Sequence, residues 1–282
     1  METIQAPTGL ARRGRRLPEQ ETEHRMLQTA VAMVRRTGLT VSLDHISLDD
    51  VIRAANVPRS SVYRRWPYKD LFIADLVKEL ARTAMPTAAQ NEAVVGLVRR
   101  LVDRHADLLA SPEGRRSLAA EVIRQAALAD FETLHRSPEW RTYLALQATV
   151  MSLAEGELRE QIKAILVESQ RDHIARVAAA WEAMTRLLGY RLRPALTATF
   201  ETLASLLTAG VRGLTLMAIA MPDLAAQRVH GRPLGAGAEA EWSLPALEIA
   251  SIAAAFLEED PSVEWDAARI QAVRHAIETL HA

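Results

Sequence analysis

The sequence predicts an all-α protein, with an N-terminal three-helix helix-turn-helix domain followed by a larger helical domain. Three observations carry that prediction. Apolar residues recur at steps of three and four along most of the chain, the period of a helix with one buried face, and no segment alternates convincingly as a strand. Caps, prolines and glycines mark where the helices start and stop. Of 282 residues, 49% are apolar and 24% charged, a balance that supports a packed core rather than a disordered chain.

The elements follow in order. Residues 1–18 read as a flexible arm rich in arginine. A first helix is expected from about Glu21 to Thr37, with Leu27, Ala30, Val31 and Val34 on one face and Gly38 as its stop. The second opens at Ser47, where Ser47 and Asp50 have the spacing of a capping box, and ends at Ala55-Asn56 because Asn tolerates a left-handed backbone. A third, short helix runs from Pro58 or Arg59 to Trp66, since Pro suits a first helical position. Pro67 ends it, and Lys69 begins a fourth helix that continues to about Arg82. The helix-turn-helix domain is thus assigned to residues 19–84, with its boundary near Pro86. Residues 85–282 form the second domain, with helical patterns at about 90–110, 113–130, 138–153, 157–188, 195–221, 245–258 and 265–281. The Gly- and Ala-rich stretch 222–242 has no clear period and reads as an exposed loop.

Net charge is −1, so the chain is not a general polyanion binder, yet its positive charge is concentrated. Arg12, Arg13, Arg15 and Arg16 make one basic tract; Arg59, Arg64, Arg65 and Lys69 make another. The absence of cysteine excludes disulfides and thiolate metal sites and suits a reducing, cytoplasmic setting. No apolar run follows the N-terminal arginines, so no secretory signal is expected. There is no Gly-x-Ser-x-Gly, P-loop, His-Glu-x-x-His or dinucleotide-type glycine pattern, so no enzyme and no cofactor are predicted. His173 has no second ligand at helical spacing, and no metal site is predicted.

The stretch Asn56-Val57-Pro58-Arg59-Ser60-Ser61-Val62-Tyr63-Arg64-Arg65-Trp66-Pro67 carries the functional signal. Val62 and Trp66 lie four apart and share the inward face of the short helix, with Leu48, Val51, Ile52, Ala55 and Val57 completing the core. Arg59, Ser60, Ser61, Tyr63 and Arg64 are left around the outside, and Arg65 toward a flank. One helix fits a DNA major groove, where arginine forks onto guanine and hydroxyls reach bases or phosphates. Lys69 adds charge where the next helix's amides also favour an anion. The surface this helix is predicted to meet is double-stranded DNA.

With that pattern in place, residues 22–80 resemble the DNA-binding domain of the TetR (tetracycline-repressor) family of bacterial transcription regulators. The run SLDDVIRAANVPRSSVYRRWPYKDLFIADL carries the resemblance, with the tyrosine, the following aromatic and the lysine in register. The resemblance implies an all-helical homodimer, a palindromic operator and a second domain that binds a small-molecule effector. It also implies that Arg59, Ser60, Ser61 and Tyr63 face bases or sugar–phosphate, while Ser47, Tyr63, Arg65 and Lys69 hold phosphates. Asn56 departs from the usual turn glycine, and Asp49 places an acid where some members approach DNA. The arm is expected to add affinity through Arg12, Arg13, Arg15 and Arg16, since arginines enter narrow minor grooves.

In the second domain, residues 195–221 are apolar enough to suggest a membrane span, but Arg212 and Glu201 interrupt the run, and no membrane partner is expected. Leu203, Leu207, Gly210, Leu214 and Met217 alternate steps of four and three, a helix-packing seam, and Leu206, Ala209, Gly213 and Leu216 make a second stripe. A helix apolar on two faces needs cover on both, here its own core and a second copy, with Ile249, Ile252 and Phe256 completing the dimer interface. Tyr143, Gln147, Met151, His173 and Trp181 are candidate ligand-binding residues, mixing aromatic and polar character on long helices. The function predicted is a ligand-responsive transcription regulator, a repressor released from a palindromic operator by a small molecule. The competing reading is a helical small-molecule binding protein that binds no operator.

Overall fold

The computed structural model describes residues 18–37, 46–83 and 89–279. It divides into two compact units, one ending at Glu79 and the other beginning at Leu80.

The first unit contains α1 (Glu19–Thr37), α2 (Leu48–Ala55), α3 (Arg59–Arg65) and most of α4 (Lys69–Thr83). Local sequence sets each boundary. The Ser47 hydroxyl accepts a hydrogen bond from the Asp50 amide at 3.3 Å, which caps α2. Asn56 ends α2 in the left-handed region at φ 51°, ψ 50°, and its amide returns to the carbonyls of Arg53 and Ile52. Pro58 stands at the cap position of α3, one residue outside the helix. Met26, Ala30 and Val34 of α1, Val51 of α2, Val62 of α3, Trp66, and Phe72 and Leu76 of α4 are all fully enclosed. Trp66 meets Phe72 edge to face, with ring centroids 5.2 Å apart, and its indole N–H donates to Asp75 at 2.9 Å. This cluster holds α3 from behind.

The second unit contains α5 (Ala89–Arg104), a 3-10 turn (Ala106–Ala110), α6 (Pro112–Arg136), α7 (Pro138–Ser152), α8 (Glu157–Leu187), α9 (Phe200–Ala220), α10 (Asp223–Ala226), α11 (Leu244–Phe256) and α12 (Ala267–Glu278). Helix α6 serves two cores. Leu118 and Val122 pack with Val98 and Leu101 of α5 and with Val273 and Ile277 of α12. Ala120 and Ala127 pack with Leu203, Leu207 and Val211 of α9 and with Ala246 and Ile249 of α11.

The elements are predominantly helical, as the sequence predicts, and no segment of that sequence alternates convincingly as a strand. Two antiparallel ribbons occur: β1 (Tyr190–Leu192) with β4 (Leu257–Glu259), and β2 (Arg228–Gly231) with β3 (Ala240–Ser243). Each strand has three or four residues, too few for an alternating pattern to register. Cross-strand chemistry helps: Arg191 stands opposite Glu258 and pairs with it at 2.8 Å. The stretch 222–242, expected to be a loop, instead holds α10, the β2–β3 ribbon and a 3-10 turn at Pro233–Gly235. It is anchored by the buried Trp242 and by the Gly237 amide, which donates to Ser117 of α6 at 3.0 Å.

Candidate nucleic-acid interface and ligand cavity

Helix α3 presents Arg59, Ser60, Tyr63 and Arg64 outward, all exposed, while Val62 faces the core. Tyr63 is 45% accessible. Arg64 has no ion pair among the described residues. Arg59 and Tyr63 converge on Asp49 of α2: its carboxylate oxygen lies 3.1 Å from the Arg59 guanidinium and 3.5 Å from the Tyr63 hydroxyl. Ser47 uses its oxygen as the α2 cap, which leaves its O–H available as a donor. Lys69 is exposed at the first position of α4.

Two expected contacts are placed otherwise. Ser61 is buried at 6% exposure, because the seven-residue α3 rests on a face wide enough to include the neighbour of Val62. Arg65 is drawn inward: its guanidinium bonds Glu23 of α1 at 3.0 Å and Asp75 of α4 at 2.9 Å, and lies 5.1 Å from the Trp66 ring. The hydrogen bond to Glu23, and the charges of Glu23 and Asp75, raise its pKa above the usual arginine value against the opposing effect of burial. Arg65 therefore clamps α1, α3 and α4 together within the unit. Arg12, Arg13, Arg15 and Arg16 lie outside the described residues.

The second unit contains a half-open cavity of about 1790 Å³, walled mainly by α5, α6, α8, α9 and α11. That exceeds the roughly 300–1,000 Å³ of most small-molecule sites. His173 and Trp181 of α8 line it; Tyr143, Gln147 and Met151 do not. Tyr143 is fully buried, and its hydroxyl donates to Gln170 at 3.0 Å while accepting from Gln147 at 2.9 Å. These polar groups satisfy each other instead of facing a ligand. Met151 is 82% exposed. Arg212, the charge inside the apolar helix α9, lies over the rings of Trp140 and Tyr143 at 5.3 and 5.2 Å. Burial lowers its pKa, with Tyr143 opposing. Burial, then the charges of Arg212 and Arg176, push His173 down to about 4, so it is neutral at pH 7.

Asp130 of α6 also lines the cavity and was not singled out from the sequence. Burial alone pushes its carboxyl up to about 6. Its signal was an acid falling on the stripe Ala119, Ile123, Ala126 and Leu134, where helical spacing otherwise places only apolar residues.

The apolar stripes of α9 are also resolved. Leu203 and Leu207 of α9 and Ile249 of α11 are buried in the chain's own core, so they offer no surface to a second copy. Gly210 faces α11, where an added Cβ would run into the Glu248 carboxylate. Leu214 is half-buried, and Ile252 and Phe256 are partly covered by the same core. The exposed stripe is the second one: Leu206 and Leu216 are 45% and 59% accessible, joined by Met217 and Ile219. Although α9 is long and apolar enough to cross a membrane, its inner face is occupied by this core.

No family model matches the chain, and no curated protein matches it. Among solved structures, SmeT, the repressor of the Stenotrophomonas maltophilia multidrug efflux pump SmeDEF, is 20% identical over 88% of this chain and 96% of its own, with a TM-score of 0.39. Full-length native TylP, a TetR regulator from Streptomyces fradiae, is 12% identical over 94% of this chain and 93% of its own, with a TM-score of 0.38. Likeness at that level carries no weight for the function of this chain.

Proposed function

We propose that the chain is a ligand-responsive, sequence-specific DNA-binding transcription regulator, a repressor that a small molecule releases from a palindromic operator. The observation that carries this reading is the outward face of α3. Arg59, Ser60, Tyr63 and Arg64 are displayed together on a short helix braced by Val62 and Trp66. Guanidinium groups that can fork onto guanine, beside a phenol and a hydroxyl, suit a major groove better than a protein surface. Ser47 and Lys69 supply phosphate donors at the starts of the flanking helices, and the arginines of the N-terminal arm add a sequence-independent hold.

A palindrome requires two reading heads. The exposed stripe of Leu206, Leu216, Met217 and Ile219 supports a homodimer, since contiguous apolar surface of this kind favours a covering partner. The cavity supports the effector role. A ligand bound there changes operator affinity only by binding the two DNA-affinity states unequally. The absence of cysteine is consistent with work in the cytoplasm.

The test is a gel shift with the DNA upstream of the chain's own gene, comparing wild type with Arg59→Ala and Tyr63→Ala. Retardation by wild type that is lost in both variants supports the regulator. No retardation with that DNA or with randomised duplexes favours a helical small-molecule binding protein. Deleting residues 1–16 is expected to flatten the dependence of affinity on salt.

A further inference from the structure

On the α6 wall of the cavity one carboxylate stands without a partner among the described residues. On α6, Asp130 occupies the stripe formed by Ala119, Ile123, Ala126 and Leu134, and all five residues line the cavity. The carboxylate has no hydrogen bond or ion pair among the described residues, and no basic side chain offsets its burial. The arginines nearest the ribbon end of the wall are engaged elsewhere: Arg116 pairs with Glu259 at 2.6 Å, and Arg193 with Glu258 at 4.0 Å. Arg82 and Arg176 are exposed. The inner titratable groups stay neutral at pH 7, since His173 is pushed down to about 4 and Tyr190 up to about 12. Glu168 and Asp172 also line the cavity but lie exposed, and Glu258 and Glu259 pair with arginines, so Asp130 is the acid of the half-buried wall that has no partner among the described residues.

An ionised carboxylate without a partner is costly in such a place, and a cation brought from outside removes that cost. An anion would be repelled, and a neutral ligand without a hydrogen-bond donor would leave the carboxylate unmatched. Trp181 lines the same space, and an indole face attracts cations as well as apolar groups. The volume accommodates a bulky body around the charge.

We propose that this cavity takes an amphipathic organic cation, an ammonium or phosphonium bearing aromatic or alkyl groups, with Asp130 as its counter-ion and Trp181 among the walls around its apolar part. This deepens the proposed function, and it rests on that reading only in treating the ligand as an effector. Binding itself is measured without DNA.

The experiment is isothermal titration of the full chain with two probes of nearly equal shape, cationic methyltriphenylphosphonium and neutral triphenylphosphine oxide. Wild type is expected to bind the cation at least tenfold more tightly than the neutral probe. In Asp130→Asn the cation should weaken at least tenfold while the neutral probe binds as before, which also reports an intact cavity. Asp130→Glu should keep the preference for charge. Equal affinity for both probes in wild type, an unchanged cation affinity in Asp130→Asn, or binding of neither probe by wild type overturns the assignment. A chain that binds the cation but retards no DNA keeps the cavity assignment and loses the regulator; the reverse result does the opposite.

Discussion

Asp49 holds Arg59. The carboxylate on α2 lies 3.1 Å from the guanidinium on α3 and 3.5 Å from the Tyr63 hydroxyl, so one acid engages two residues of the proposed reading face. Both partners are largely exposed, and such a pair contributes only about 0–1 kcal/mol to stability. Its larger effect is on what Arg59 is free to meet. A phosphate or a guanine edge has to displace Asp49, and the acid itself repels the DNA backbone.

Asp49→Asn is therefore expected to raise DNA affinity severalfold and to steepen the log–log salt dependence by about one, because one negative charge no longer opposes the phosphates. Fluorescence anisotropy across a salt series measures both. An affinity that falls in this variant would show that Asp49 aims Arg59 instead of restraining it.

Arg65→Ala is expected to act on folding before it acts on DNA. It removes the link among Glu23, Asp75 and the Trp66 ring and leaves two carboxylates facing each other's charge, at a cost of roughly 1–3 kcal/mol. Thermal melting should show the loss, whereas Arg64→Ala, on the open face, should melt like wild type and weaken DNA binding only.

The two stripes of α9 predict opposite phenotypes. Leu216→Glu places a charge on the exposed stripe and should convert dimer to monomer in sedimentation, with operator affinity falling accordingly. Leu203→Ala opens a hole in the core and should cost about 2–5 kcal/mol in chemical denaturation. A dimer that survives Leu216→Glu removes that face from consideration.

Stability against pH depends on two opposed groups. Asp130 rises from 3.8 to about 6 on folding, so the folded chain keeps a proton that the unfolded chain has released between those values. Its contribution is complete at low pH and is lost as pH rises through 6. His173 falls from 6.5 to about 4, so its contribution is present above 6.5 and is lost as pH falls through 4. The slopes oppose each other across that window. Asp130→Asn removes one of them. The variant should melt higher than wild type at pH 7 and lose stability more steeply on acidification from 6.5 to 4.

Much of the first unit was legible because its determinants are local. The Ser47 cap, the left-handed Asn56 and the spacing of Val62 and Trp66 each act within a few residues, and each is where the sequence places it. The inward turn of Arg65 leaves no local signal, because its partner Glu23 stands 42 residues earlier, on another helix. The burial of Ser61 is not legible, because seven residues are too few to define the width of a buried face. On α9 both stripes were visible, but periodicity does not say which one faces the chain's own core; that is decided by α6 and α11. The short ribbons and the buried Trp242 depend on tertiary anchoring, which leaves little trace in a Gly- and Ala-rich segment. Among the cavity residues, His173 and Trp181 were found by their mixed character, while Asp130 was passed over as one acid among many.

Trp66 stands alone as the tryptophan of its unit; the other four of the chain, at 140, 181, 242 and 265, belong to the second. Sealed from water and tethered through its indole nitrogen to Asp75, it is a built-in optical reporter. With the other four replaced by phenylalanine, a blue-shifted emission would register an intact reading head, and a red shift its opening, without any attached label.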